Sequence, residues 1–204
     1  MSVVPIVYTD RLLLRPFEDA DAEDVFEPCR NPKLGLDAGW PPHQSIDDSY
    51  VFIREIAPLG FVWAITERPA GAQADGAQPV STQPASNQAS SERTRVIGSI
   101  GLLPDPSRPD EEGILLLGYW LHEDFWNRGY TTEASKAVLQ WACENCSPRL
   151  FTTSHYFDND ASRRVIEKCG FSFVRKGLWE DDDSLTPDRE TWWYEMRPED
   201  FPVK

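Results

Sequence analysis

The segment Trp126-Asn-Arg-Gly-Tyr-Thr-Thr-Glu133 follows the apolar run Gly113-Ile-Leu-Leu-Leu-Gly-Tyr-Trp-Leu121 and leads into a stretch with helical periodicity. A strand, a glycine-bearing turn and a helix start, in that order, aim several unpaired amide N–H groups and the positive end of the helix dipole at one point. Such a point holds an anion, typically a phosphate. A single glycine in a turn serves ordinary strand-to-helix connections equally well, so the charge distribution matters. Residues 126–176 carry eight basic and five acidic side chains in a chain whose net charge is −14. A locally basic zone in an acidic protein suits a polyanionic ligand, although a solvated helix face accounts for Arg163, Arg164, Glu167 and Lys168 as well. The same zone contains Asn159-Asp-Ala-Ser-Arg-Arg-Val-Ile-Glu-Lys-Cys-Gly-Phe171, in which Asn159 or Asp160 can cap a helix just ahead of the hydroxyl of Ser162.

Other chemistries are less well supplied. Cys143 and Cys146 form a C-x-x-C, but no second pair follows and the two fall near the end of a predicted helix, so a metal or redox role is not expected. Four cysteines in 204 residues make no disulfide framework, which suits a reducing compartment. The excess of 34 acidic over 20 basic residues repels phosphate backbones and anionic lipid, so neither nucleic acid nor membrane is an expected partner. No apolar run reaches the roughly 18 residues of a membrane span, and no basic, apolar leader opens the chain. A soluble, cytoplasmic protein is expected.

The positioning elements follow from periodicity. Residues 9–17 alternate and predict a strand, and Ala22, Val25, Phe26 and Cys29 share one helical face. Ser45-Ile-Asp-Asp48 has the form of a capping box that opens a second helix with Phe52, Ile53 and Ile56 inward. Residues 61–66 and 95–103 predict two strands of a hairpin inflated by residues 69–94, which hold one large aliphatic residue, Val80, and too little apolar surface to order. Residues 113–121 read as a central strand covered on both faces. Ala134, Ala137, Val138, Trp141 and Ala142 mark the next helix, and residues 150–155 the next strand. A helix after Asn159 carries Val165, Ile166 and Cys169 inward and ends at Gly170, before strands at 171–176 and 191–196. Length and order describe one domain over 1–204, with the insertion at about 69–94.

Gly118-Tyr-Trp-Leu-His-Glu-Asp-Phe-Trp-Asn-Arg-Gly-Tyr-Thr-Thr-Glu-Ala134 resembles the strand and pyrophosphate loop of the GNAT N-acetyltransferases, and Asn159-x-x-Ser162-x-x-Val-x-Glu-Lys-x-Gly-Phe171 resembles the second signature of their RimJ/RimL-like branch. The resemblance begins at Thr9-Asp-Arg-Leu-x-Leu-Arg15 and covers nearly the whole chain outside the insertion. It implies an α/β GNAT fold, a mixed sheet of about six to seven strands splayed at its centre with about four helices around it. It also implies acetyl-CoA as cosubstrate, with no metal. Tyr119, Trp120 and Leu121 would present backbone groups at a bulge and splay in the central strand, with the Leu121 N–H as oxyanion donor. Asn127, Arg128, Gly129, Tyr130, Thr131 and Thr132 would hold the pyrophosphate, and Asn159, Ser162 and Arg163 would border the pantetheine. Relatives that use a tyrosine acid have it where this chain has Ile166, which leaves Ser162 to protonate the thiolate directly or through a water.

Two departures bear on mechanism. Leu116 stands where the family often has Glu, so the base is unassigned among His122, Glu112 and His155, with His122 taken as the candidate. Asn127 and Thr131 replace small residues of the loop; Asn tolerates left-handed geometry, whereas Thr narrows the approach. An α-amine, with a pKa of about 8, is partly neutral where a lysine at about 10.4 is not, and so needs less help. The expected acceptor is therefore a peptide or protein N-terminus, with a small-molecule amine as the alternative. Trp40, Glu180 and Asp181 would border it; the acidic run at 180–183 serves either as a solvated turn or to draw in a cationic amine, and Trp179, Trp192 and Trp193 are further candidates for the wall, with whichever of Trp192 and Trp193 points inward packing in the core instead. A catalytically silent acyl-CoA-binding protein and a nucleotide-binding module are the readings from other classes, and monomer or homodimer is left open.

Overall fold

The structure is a computed structural model that describes residues 4–68, 94–178 and 189–202. Within these residues eight strands form one sheet: β1 (Val7–Tyr8), β2 (Leu12–Arg15), β3 (Phe61–Glu67), β4 (Val96–Pro104), β5 (Ile114–Leu121), β6 (Leu150–Tyr156), β7 (Ser172–Leu178) and β8 (Glu190–Met196). Their order is β1-β2-β3-β4-β5-β6-β8-β7, and every neighbouring pair is antiparallel except β5 with β6. Among the described residues five α-helices cover it: α1 (Ala22–Cys29), α2 (Pro32–Ala38), α3 (Ile46–Val51), α4 (Tyr130–Asn145) and α5 (Asp160–Cys169). This is the mixed α/β architecture expected, with one strand and one helix more than the upper counts.

Side-chain alternation along β5 assigns the two faces. Leu117, Tyr119 and Leu121 pack with Ala134, Val138 and Leu139 of α4 and Ile166 of α5, in a core that also holds Trp63 and Phe151. Trp120 points the other way, into a smaller cluster with Ala22, Val25 and Cys29 of α1, Leu34 of α2 and Ile53. The central strand is thus clamped between helices on both faces, which is why its run is apolar throughout.

Local chemistry sets the boundaries. Ser45 caps α3 in a reciprocal box with Asp48, whose carboxyl is held below its ordinary range by the amide N–H groups of Ser45 and Gln44. Beyond Val51 that helix widens into a π-turn at Phe52–Ile56. The change in residues per turn rotates Ile56 to the surface, against the expected inward position. The predicted strand at 9–17 is also interrupted: Thr9 Oγ1 accepts the Leu12 N–H at 2.9 Å, so residues 9–12 form a turn between β1 and β2. Two expectations, the low-complexity insertion at 69–94 and the acceptor-binding role of Trp179, Glu180 and Asp181, fall almost wholly outside the described residues.

Candidate active site

The ladder between β4 and β5 fixes which backbone groups are free. The His122 N–H donates to Ile97 O at 2.8 Å, so the antiparallel alternation assigns the peptide groups of Gly118, Trp120 and His122 to β4. Those of Leu117, Tyr119 and Leu121 face β6. Yet β6 pairs with β5 only from Ile114↔Leu150 to Leu116↔Thr152, and then the strands part. Thr153 Oγ1 donates to Leu117 O at 3.0 Å and Trp126 Nε1 to Leu121 O at 2.6 Å. The Leu121 N–H and the Tyr119 peptide groups look into the opening. The β4–β5 register runs without a shift from Gly98↔Leu121 to Pro104↔Leu115, so the splay lies wholly on the β6 side and the expected bulge leaves no mark in that ladder.

A cavity of about 800 Å³ fills the splay and runs from α2 to the start of α4. At its α4 end, Asn127 has φ 61° and Gly129 φ 79°. Both are left-handed, a conformation glycine adopts freely and asparagine tolerates. α4 starts at Tyr130 with no side-chain cap on its N-terminus, which leaves its first amides and the helix dipole to whatever enters the cavity. Gly118, also in the wall, has no atom within 4 Å of where a Cβ would stand. Arg164 and Lys168 add two cations to the same wall, one helical turn apart on α5. An uncapped helix start, left-handed loop residues and nearby cations fit a diphosphate, and the parted strands fit an extended thiol arm.

Across the opening, Asn159 Oδ1 caps α5 by accepting the Ser162 N–H at 3.0 Å. This sets the Ser162 hydroxyl 2.8 Å from the phenol of Tyr119. Burial raises the Tyr119 pKa, and the bond to Ser162 only partly opposes it. The phenol therefore stays protonated. This side-chain partner is new relative to the sequence reading, in which Tyr119 contributes backbone alone; the signal was its position two residues before Leu121 on a strand facing α5.

Other expected site residues have different surroundings. Leu116, Trp120, Tyr130, Thr131 and Thr132 line the cavity with those already named. The Tyr130 phenol itself is spent on Glu67, at 2.8 Å. Arg128, Arg163, His122, Glu112 and Trp40 are not among the lining residues. Arg128 lies over the Phe125 ring, and Arg163 pairs with Asp160 and Glu167 on its own helix. Trp40 packs against the cluster formed by α1, Leu34 and Ile53. For His122 the geometry assigns a structural task in place of a base: Nδ1 accepts the Asp124 N–H at 3.2 Å, and Nε2 sits 2.7 Å from Glu27. His155 does line the cavity but is also engaged. Its Nδ1–H donates to Tyr156 O at 2.7 Å, its Nε2 accepts from Tyr194 at 3.1 Å, and burial lowers its pKa. Trp192 packs on the main core, and Trp193 lies beneath Arg175, whose guanidinium carbon is 3.7 Å from the ring centroid.

At the other end of the cavity, the lining residues Asp37 and Asp158 belong to an ion-pair cluster that the sequence did not single out. Arg189 reaches Asp158 at 2.6 Å and Asp37 at 3.0 Å through Nη2, donates to Leu36 O at 3.1 Å through Nη1, and covers the Tyr156 ring. It ties α2 to the ends of β6 and β8.

Comparison with known proteins agrees with this geometry. Residues 11–172 match the family model described as an acetyltransferase (GNAT) domain. The curated protein named uncharacterized N-acetyltransferase YoaA, from Bacillus subtilis, is 26% identical over 174 residues, 82% of each chain. A GNAT-family acetyltransferase from Bacillus anthracis superposes with a TM-score of 0.73 at 17% identity, over 95% of this chain and 99% of that one. RimL, a ribosomal L7/L12 alpha-N-protein acetyltransferase solved with coenzyme A, gives 0.69 at 14% identity, covering 94% and 97%. The self-immunity acetyltransferase MccE, solved with acetyl-CoA and AMP, gives 0.67 at 18%, covering 93% of each. The chain belongs to the GNAT family and is an acetyl-CoA-dependent N-acetyltransferase. Among the described residues no cluster suits a metal ion, and no helix is long and apolar enough to cross a membrane.

Proposed function

We propose that the acceptor is the α-amine of a peptide or protein N-terminus. One observation carries this reading: the carboxylates and the histidine in the cavity wall are already engaged. Asp37 and Asp158 are bound by Arg189, Asp160 by Arg163, and His155 by Tyr156 and Tyr194. A cavity so furnished suits an amine that is partly neutral without a base, which an α-amine is near pH 8. Two further points support it: the segment from Asn159 to Phe171 resembles the second signature of the RimJ/RimL-like branch, and RimL, which shares the fold, acts on a protein α-amine.

In this mechanism acetyl-CoA supplies an activated thioester. The amides at the start of α4, with Arg164 and Lys168, hold the diphosphate end, and the free Tyr119 backbone holds the arm along β5. The Leu121 N–H donates to the carbonyl oxygen as negative charge develops there. Ser162 Oγ, held by Tyr119, passes a proton to the departing sulfur and regains one, through solvent, from the nitrogen that has attacked, so the amide, the free thiol and the serine hydroxyl all end neutral. Alignment in the splay brings the amine to the carbonyl. The test is a thermal shift with acetyl-CoA, followed by thiol release with a panel of peptides and small amines. The reading expects stabilisation by acetyl-CoA and turnover with peptides that have a free N-terminus, lost on blocking it. Turnover with small amines alone contradicts it.

A further inference from the structure

The Thr9-Asp-Arg-Leu segment has no part in the mechanism above, yet it grips the diphosphate loop from behind. Thr9 and Leu12 close a turn, with the Thr9 N–H on Leu12 O at 3.0 Å. Glu133, in the first turn of α4, lays its carboxylate on that turn. Oε1 accepts from Thr9 Oγ1 at 2.6 Å and from the Arg11 N–H at 2.9 Å, and Oε2 accepts from Arg11 Nε at 2.7 Å. The remaining arm of the guanidinium, Nη1, donates to Arg128 O at 2.9 Å. Arg11 also lies over the Tyr130 ring, 4.7 Å from its centroid. One side chain thus touches the residue before Gly129, the residue after it and the first helical turn.

The consequence follows from peptide planarity. No described peptide bond is cis, so the Arg128 carbonyl and the Gly129 N–H point in opposite directions across one plane. Arg11 is outside the cavity wall and holds that carbonyl outward; Gly129 is in the wall. The Gly129 N–H is therefore turned inward. Arg11 also neutralises Glu133. Burial would raise the pKa of that carboxyl, but the bonds from Thr9 and Arg11 outweigh burial and hold it below its ordinary range, so it is charged. An unpaired charge there would repel an anion at the helix start.

We infer that the Thr9–Arg11–Glu133 clasp is the positioning device of the diphosphate loop, with Arg11 acting on CoA affinity through the Arg128–Gly129 peptide and not by contact with the ligand. The inference rests on the loop holding the diphosphate, as proposed above. The Arg11 side chain is 48% exposed, so its ion pair contributes little to global stability. Loss of the clasp should therefore register in binding more than in melting.

The test is CoA titration of the full chain carrying Arg11→Ala, Arg11→Lys, Glu133→Gln or both Arg11→Ala and Glu133→Gln, with pantetheine, which lacks the diphosphate, as the second ligand. Arg11→Ala and Glu133→Gln are each expected to weaken CoA about tenfold, the double variant no more than either, and pantetheine binding to stay the same. Arg11→Lys keeps the charge but not the three-way reach, and should recover only part of the affinity. The sign for Glu133→Gln is decisive. Removing a negative charge near an anion should tighten binding if only electrostatics acts, and weaken it if position matters. Unchanged or tighter CoA binding by Glu133→Gln overturns the inference, as does an equal loss for pantetheine. If Arg11→Ala fails to fold, Glu133→Gln carries the test alone. Gly129→Val separates the two levels: if it binds CoA normally, the loop assignment fails and the clasp with it; if it loses CoA while Arg11→Ala and Glu133→Gln do not, only the clasp fails.

Discussion

The Tyr119 phenol and the Ser162 hydroxyl lie 2.8 Å apart, joining the central strand β5 to the helix α5 across the mouth of the splay. Ile166, fully buried in the core, takes the helix position from which other members of the family present a tyrosine. Here an aromatic hydroxyl comes from the strand instead, and it holds Ser162, the proposed proton donor.

Ser162→Ala should lower kcat about 10²-fold, the scale of one positioned proton donor, with little change in the dissociation constant of CoA. Tyr119→Phe should lower kcat less, since Ser162 remains but is no longer held. Because burial raises the Tyr119 pKa, no inflection from the phenol is expected in the kcat profile below about pH 10. Steady-state kinetics with the acceptor found by screening gives both kcat values and the pH profile, a CoA titration gives the dissociation constant, and equal turnover in Ser162→Ala removes that residue from the mechanism.

Arg189→Met should raise the acceptor KM several-fold and leave that of acetyl-CoA unchanged. Arg189 holds α2 to the ends of β6 and β8 through Asp37, Asp158 and Leu36 O, at the end of the cavity away from the α4 amides. A matching rise in both constants would place Arg189 in a general structural role.

Gly98→Ala should destabilise the protein by about 1–3 kcal/mol and reduce transfer as well. A Cβ at Gly98 would stand 2.6 Å from Trp120 O and 2.9 Å from the Leu121 side chain, so β5 must shift at Leu121, the proposed oxyanion donor. A denaturant titration with a parallel activity measurement checks both effects. An unchanged midpoint would mean that β5 gives way without cost.

Stability should fall as the pH drops from about 7 toward 5, before most carboxylates titrate. Burial lowers the pKa of His155 and of His43, so the unfolded chain binds more protons than the folded one in this window. Their contribution is fully present above the ordinary histidine pKa and is lost as the pH falls through the lowered one. His155→Gln should flatten the slope without abolishing it, since His43 acts in the same direction. Melting temperatures measured across the window report the slope, and an unchanged slope in the variant excludes His155 as a source.

Periodicity and caps made much of this legible. The run at 113–121, the Ser45 capping box, the Asn159 cap and the left-handed tolerance of Asn127 all follow from local chemistry that tertiary packing leaves in place. α2 was missed although Asn31 caps it, Pro32 opens it and Gly39 ends it with φ 83°. Its seven residues are too few for an apolar face to repeat, so only the caps could have revealed it. Tyr119 with Ser162, Arg11 with Glu133 and Arg189 with Asp37 are separated by 43, 122 and 152 residues. No local pattern relates such pairs, and only the sheet order brings them together. His122 illustrates the converse: its type suggested a base, whereas the Asp124 N–H beyond β5 engages one ring nitrogen and Glu27 of α1 the other.

The central claim is that the parted strands and the uncapped start of α4 hold acetyl-CoA in one defined pose. A crystal structure of the full chain with acetyl-CoA tests it most directly. The account predicts the diphosphate on the amides of residues 127–132, the thioester oxygen within hydrogen-bond distance of the Leu121 N–H, and the sulfur beside Ser162 Oγ. A thioester lying away from β5, or a diphosphate bound anywhere but the α4 N-terminus, would contradict it.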